Sequence, residues 1–415
     1  MIKVSDRCLL YYRTAILYIS FLSLGLCTAI PGPTLLDLQT IVKTSTKYVT
    51  YIYLGRSSGY LIGSLIGGII LDCMKKREAL LVLFNLIISI SVLLIPFSRD
   101  VVTLVAVMAV SGSVMGALDT GANVWCLNLW SGDNSPYFQA LHFLFGIGAF
   151  LAPLVAEPFL DKNNETLEIL NTSYAANIIT LLFLSLFCFA NDNECAKEKR
   201  NVQYSNPHFC ITVLIISLTF LLLGVYAGIE IGFGQMIATY AVKSDLHLSK
   251  SDASYLTSLY WASFTVFRGV GILLAAKFSS LSLILFDFCL MLISGIVLLI
   301  FGNSSVAMLW FGTGLLGCAL SSFYPSAVYW TEKYVNVSNK VASSFVVAAS
   351  FGEMIVPFAI SQFLDDRPEF FSYILLSSIL VCGILILFLW ITTSKVGVKA
   401  VIDENIETED AESRL

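Results

Sequence analysis

Twelve runs of about twenty mostly apolar residues, each long enough to cross a bilayer core as a helix, leave this chain few ways to fold. They lie near residues 12–35, 48–71, 79–97, 101–127, 136–157, 174–190, 209–240, 253–277, 281–301, 306–330, 341–362 and 371–393, and are numbered here as spans 1 to 12. In lipid each backbone N–H and C=O needs a partner within its own segment, so runs of this length are helices. Composition agrees. Of the 415 residues 57% are apolar and 13% charged, about half the charge that coats a soluble domain. This excludes a soluble enzyme, and a net charge of −5 offers no basic field to a nucleic acid. No nucleophile–base pair or metal-ligand spacing marks a membrane enzyme either, and no cofactor is expected. The ten cysteines are scattered without paired spacing and are expected to be small buried hydrophobes.

An even number of spans puts both termini on one side, and the Lys/Arg distribution selects the side. With the termini inside, the inner segments hold 15 Lys and Arg against 7 in the outer ones, so both termini are expected to be cytoplasmic, in a plasma-membrane protein. The basic leader before span 1 lacks a small-residue cleavage site, so that span is expected to be retained. The sequons at Asn164 and Asn171 fall between spans 5 and 6, on the expected outer side, and are candidate glycosylation sites. The polar stretch 191–208 separates six spans from six. The expected organisation is an N-terminal bundle over 1–190, a cytoplasmic linker over 191–208, a C-terminal bundle over 209–394 and an acidic tail over 395–415.

The halves echo each other. Gly148, Pro153, Phe159, Leu160 and Asp161 at span 5 repeat as Gly352, Pro357, Phe363, Leu364 and Asp365 at span 11, an offset of 204 residues. Arg56-x2-Gly59 in span 2 is matched by Arg268-x2-Gly271 in span 8. A parallel repeat of six spans is a transporter architecture in which two bundles rock about a central site. Glycines every fourth residue in span 2 (Gly59, Gly63, Gly67) and span 7 (Gly224, Gly228, Gly232) are expected to be packing faces. Trp330 and Trp390, near span ends, are expected at the membrane interface. Gly312-x-Gly314-x-x-Gly317 has dinucleotide-site spacing, but it lies in an apolar helical run with no strand before it.

Ionisable residues within spans are the sharpest functional signal, because each costs about 2.5–3.5 kcal/mol at a span centre on insertion scales. Asp119 and Asn123, four apart in span 4, share a helix face and can offer oxygens to Na⁺, or the acid alone can carry H⁺. Glu230 in span 7 and Glu353 in span 11 are further ion-coupling candidates, as is Asp37 near the outer end of span 1. Asp287 in span 9 is expected to be solvated. Arg56 and Arg268 are the intramembrane cations and the expected charge partners of these acids, although Arg56 has the alternative of reaching outward to the surface.

The stretch Gly68-x3-Asp72 followed by Lys75, Lys76 and Arg77 resembles the signature of the major facilitator superfamily, with Cys73 and Lys75 departing from it. There Gly68, Asp72, Lys76 and Arg77 would latch one bundle to the other by charge-assisted bonds. Further segments are Gly32-Pro33-Thr34-Leu35-Leu36-Asp37-Leu38, Gly55-Arg56-x2-Gly59-Tyr60-Leu61-Ile62-Gly63-Ser64, Asp119-Thr120-Gly121-Ala122-Asn123, Gln139-x2-His142-x3-Gly146 and Ala152-Pro153-x3-Glu157-Pro158. With them the chain resembles the sodium-dependent glucose transporter branch of that superfamily, which is similar to the fucose/glucose proton symporters. The resemblance implies an all-α membrane protein of twelve transmembrane helices in two pseudo-symmetric six-helix bundles, carrying a hexose with Na⁺ or H⁺. It also implies coupling acids on spans 1 and 4, matching Asp37 and Asp119. A sugar needs amides or carboxylates for its hydroxyls and aromatic faces for its C–H surface. The candidates are Asn123, Gln139 and His142 in the first bundle and Gln235, Tyr260, Trp261 and Tyr324 in the second. The expected partners are a small sugar and the lipid bilayer, with a monomeric chain. Two other readings stay open: a carrier of another solute such as an organic acid held by Arg56 or Arg268, or a non-transporting sensor or scaffold of the same fold.

Overall fold

A computed structural model describes residues 4–73, 77–129, 135–160, 209–275, 277–335, 337 and 339–394. Among the described residues nine helices are long and apolar enough to cross a membrane. Tyr51–Cys73 and Arg77–Leu94 supply spans 2 and 3. The expected span 6, the linker over 191–208, the acidic tail and both sequons lie outside the described residues. Apolar side chains such as Val102, Val266, Leu273 and Ile355 are well exposed on the outer surface, as expected of helices solvated by lipid rather than water.

Prolines set the two most consequential breaks. Span 1 is Val4–Ala29 followed by Pro31–Ile41, because Pro31 and Pro33 lack the N–H groups that would continue the ladder. Span 5 runs Ser135–Ala156 with Pro153 inside and closes in a short turn, Glu157–Phe159. Span 10 is also divided, into Val306–Leu320 and Phe323–Glu332. The remaining spans are single rods: Val101–Leu129, Phe209–Lys243, Lys250–Ala275, Ser280–Phe301, Asn339–Ser361 and Phe370–Ser394 for spans 4, 7, 8, 9, 11 and 12.

The duplication is visible in the packing. Span 1 packs on span 5 and span 2 on span 4, as span 7 packs on span 11 and span 8 on span 10. The repeated glycine does the same work in each half. A Cβ at Gly148 would stand 2.0 Å from the Leu22 carbonyl oxygen, and one at Gly352 would stand 1.8 Å from that of Gly224. Without a hydrophobic drive between helices in lipid, such backbone approach is the main source of cohesion. The glycine rows of spans 2 and 7 are likewise consumed in packing against spans 4 and 11.

Between the halves, spans 5 and 8, 2 and 11, and 1 and 7 meet. The hydrogen bonds that cross from bundle to bundle gather between the middle of the spans and one end, the end carrying Asp37, Thr46, Lys243, Lys250 and Asp365. That end is sealed.

Two expectations need correction. Trp330 is 3% exposed, inside its bundle rather than at an interface, because it lies on the second segment of span 10, which packs against spans 7 and 9. Asp287 is buried, not solvated, and accepts a hydrogen bond from Ser322 Oγ at 2.6 Å.

Candidate functional site

Span 4 places Asp119 and Asn123 one turn apart, and the Asn123 Nδ2 donates to Asp119 Oδ1 at 3.0 Å. From span 2 the Tyr60 hydroxyl donates to Asp119 Oδ2 at 2.6 Å. Both carboxylate oxygens are therefore engaged, while Asn123 Oδ1 is buried with no hydrogen-bond partner among the described residues. An unengaged amide oxygen beside a carboxylate can complete the shell of a hard cation. Tyr60 was not a sequence candidate. The available signal was its place four residues after Arg56, on the same helix face.

Arg56 does not reach the surface. It is buried, its Nη1 donates to the Thr28 carbonyl at 2.9 Å, and its guanidinium lies 5.6 Å from the Tyr53 ring centre. The Thr28 carbonyl, just before the span 1 break, also accepts from Gln235 Nε2 of the other bundle at 2.7 Å. Gln235 is fully buried, and its Oε1 lacks a partner among the described residues. In this state its amide bridges the bundles.

Glu353, half-buried on span 11, lies within electrostatic reach of Arg56, Glu230 and Asp119. Arg56 therefore faces an acid of the opposite bundle. Arg268 sits 4.4 Å over the Phe264 ring, donates from Nε to the Ser321 carbonyl at 3.3 Å, and is within reach of Glu230 and His142. His142 is held edge-on between Phe21 and Phe138, with ring centres 5.4 and 4.8 Å away. Tyr324 lies within reach of Asp119, Glu230 and Glu353. The structure thus brings together Arg56, Asp119, Asn123, Glu230, Arg268, Tyr324, Glu353 and His142 around the bundle interface. Three acids and two arginines gather there, Glu353 within reach of Arg56 and Glu230 within reach of Arg268. They stand within electrostatic reach without closing into a chelate, since no group of three or more His, Cys, Asp and Glu among the described residues could hold a metal ion.

Other candidates fall elsewhere. Tyr260 and Trp261 are fully buried in an aromatic layer with Phe233 and Phe264, and the Tyr260 hydroxyl donates to the Glu230 backbone carbonyl at 2.8 Å. Gln139 is half-buried one turn from His142. Asp37 lies at the sealed end, 4% exposed and 2.5 Å from Lys250 Nζ. Of the expected latch, Gly68 and Asp72 belong to the last turns of span 2 and Arg77 opens span 3. Lys76 lies outside the described residues.

Two bundles whose described spans share the same internal packing, closed at one end over mid-span acids and arginines, define a membrane carrier of the major facilitator fold. Sodium-dependent glucose transporter 1 of Xenopus laevis is 32% identical over 364 residues, 82% of this chain and 74% of the relative. The chain belongs to the sodium-dependent glucose transporter 1 family. Among solved structures, the inward-open xylose transporter XylE of E. coli matches 95% of this chain and 98% of its own with a TM-score of 0.74 at 14% identity. The E. coli fucose:proton symporter FucP matches 91% and 98% with a TM-score of 0.62 at 16% identity. No protein-family model matches the chain.

Proposed function

We propose that the protein is a secondary active carrier that moves a hexose such as glucose by alternating access, coupled to Na⁺. The carrying observation is the mid-membrane cluster in which Glu353 faces Arg56 across the bundle interface, Glu230 lies within reach of Arg268 in its own bundle, and Asp119 lies within reach of Glu353. One acid more than the cations can neutralise is costly in lipid, and a bound cation relieves that cost. The Asp119 carboxylate with Asn123 Oδ1 supplies the oxygens for it. Glu230 and Glu353 complete the charge set. Asn123, Gln139, His142 and Tyr324 supply hydroxyl partners and ring faces for a neutral sugar in the first position. Gln235, Tyr260 and Trp261, now buried at the sealed half, join when that half opens.

Membership of a sodium-dependent glucose transporter family supports both the solute and the ion. The excess of Lys and Arg on the termini side supports cytoplasmic termini and a sealed end that faces outside. The same orientation places the sequons at Asn164 and Asn171 on the side exposed to the glycosylation machinery, and the plasma membrane is the proposed setting. The basic cluster at 75–77 supports the latch role of Asp72, Lys76 and Arg77 at the opposite end.

The test is glucose uptake into proteoliposomes. Uptake above equilibration is expected with an inward Na⁺ gradient and not without one. Accumulation driven by a pH gradient alone would replace Na⁺ by H⁺. Gradient-independent equilibration would remove coupling, and no glucose flux under any gradient would remove the sugar.

A further inference from the structure

The sealed end is closed by two polar contacts that share a design. On one side Asp37, at the end of span 1, pairs with Lys250, the first residue of span 8 in the other bundle. On the other side Asp365, just past span 11, accepts from the backbone N–H of Thr46 at 3.0 Å, the first residue of the short helix Thr46–Val49 that leads into span 2 in the opposite bundle. Lys243, at the end of span 7, bonds both Asp365 and the Thr46 hydroxyl. Each contact therefore sets an acid of one bundle on the opening turn of a helix in the other. The two opening residues, Thr46 and Lys250, are 204 positions apart, the same offset as the duplicated span 5 and span 11 motif. Between them the Ser254 hydroxyl donates to the Pro153 carbonyl at 2.7 Å, and Tyr51 stacks on Phe358 at 5.8 Å.

The Asp37 carboxylate is the group that decides how firm the closure is. It is 4% exposed, so taking Lys250 away would remove a contact counter-charge that little water could replace. Parting this end exposes the Asp37 carboxylate to water, and the Asp37–Lys250 pair and the bonds of Thr46 to Asp365 and Lys243 must be broken together because the bundles move as bodies.

We propose that Asp37–Lys250 and the Thr46–Asp365–Lys243 group form a two-point clasp that holds the carrier in the state closed at this end. Asp37 then sets the balance between the two states and does not hold the transported cation. The inference depends on alternating access but on neither the solute nor the ion.

Hydrogen exchange of the full chain in lipid nanodiscs tests it without any substrate. Peptides over 36–50 and 243–252 report the clasp, and those over 326–335 report the opposite end of span 10. Asp37→Asn and Lys250→Gln are each expected to speed exchange at the clasp by about tenfold and to slow it at 326–335, because one end closes as the other opens. The exchanged pair, Asp37→Lys with Lys250→Asp, is expected to restore both. Wild-type exchange in the single variants would overturn the proposal, as would an exchanged pair no better than the singles. Faster exchange at the clasp with no slowing at 326–335 would also overturn it, because that is local loosening. Failure of glucose flux in the proteoliposome test leaves these readouts untouched, so the two conclusions fail separately.

Discussion

At the sealed end Asp37 meets Lys250 and Asp365 meets Lys243 in direct ion pairs. At mid-span Glu353 faces Arg56, Glu230 faces Arg268 and Asp119 lies within reach of Glu353, all through space, and among the described residues no ion pair closes between them. The same residue types serve opposite ends. A charge paired at contact distance, with backbone N–H support, is a fastener whose energy is spent on one conformation. Charges left short of contact, with an amide oxygen unengaged beside them, keep their interaction free energy available for something that arrives and leaves. A carrier needs both, because binding too firm at the centre or too loose at the end would stop the cycle.

The largest effect that could break this contrast is at Asp119. Asp119→Asn keeps the shape and one of the two accepted hydrogen bonds, the other being kept only if Tyr60 or Asn123 turns to accept, and removes the charge. Na⁺ stimulation of uptake is expected to fall by about 100-fold, the scale for losing a desolvated charge from a binding set, while exchange of labelled for unlabelled sugar persists. Undiminished Na⁺-driven accumulation in that variant would place the ion elsewhere and make the central acids structural.

The sequence made some of this legible and hid the rest for physical reasons. Length and apolarity of the runs specify spans, because lipid forces backbone satisfaction within each segment, and the described helices match eleven of the expected twelve. The repeated Gly148 and Gly352 could be read as pseudo-symmetry because backbone-to-backbone contact tolerates no other side chain. The approach of Arg56 to Glu353 could not, since it depends on how two bundles face each other and no local pattern encodes that. Lys243 and Lys250 read only as outer-loop charges for the same reason. Thr28 escaped notice because its function lies in a backbone carbonyl beside a proline break, which residue type does not reveal.

The next effect is one of stability and probes the halves as equivalents. Gly148→Val and Gly352→Val each drive a branched side chain into a carbonyl oxygen of the neighbouring helix. Each is expected to cost about 3 kcal/mol or more, read as loss of monodisperse protein and a lower midpoint of thermal unfolding in detergent. If the two helix pairs are pseudo-equivalent the losses match. A large loss at one position and none at the other would show that only one half depends on close backbone contact.

The smallest expected effect concerns acid and separates the two regions by their surroundings. Asp365 lies outside the spans. Burial pushes its carboxyl up, but the hydrogen bonds from Lys243 and Thr46 and the Lys243 charge outweigh that and leave it below its ordinary value. A carboxyl lowered in the folded state contributes its stabilisation in full above its unfolded value, about 3.9, and loses it only as pH falls through the lower folded value. The Thr46–Asp365–Lys243 contact is therefore expected to survive unchanged from neutral pH to about pH 5. Exchange over 43–50, corrected for the intrinsic pH dependence of amide exchange, reads this directly. A loss of protection between those two conditions would mean that Asp365 is not held by Lys243 and Thr46, and that the fastening at this end rests on Asp37 and Lys250 alone.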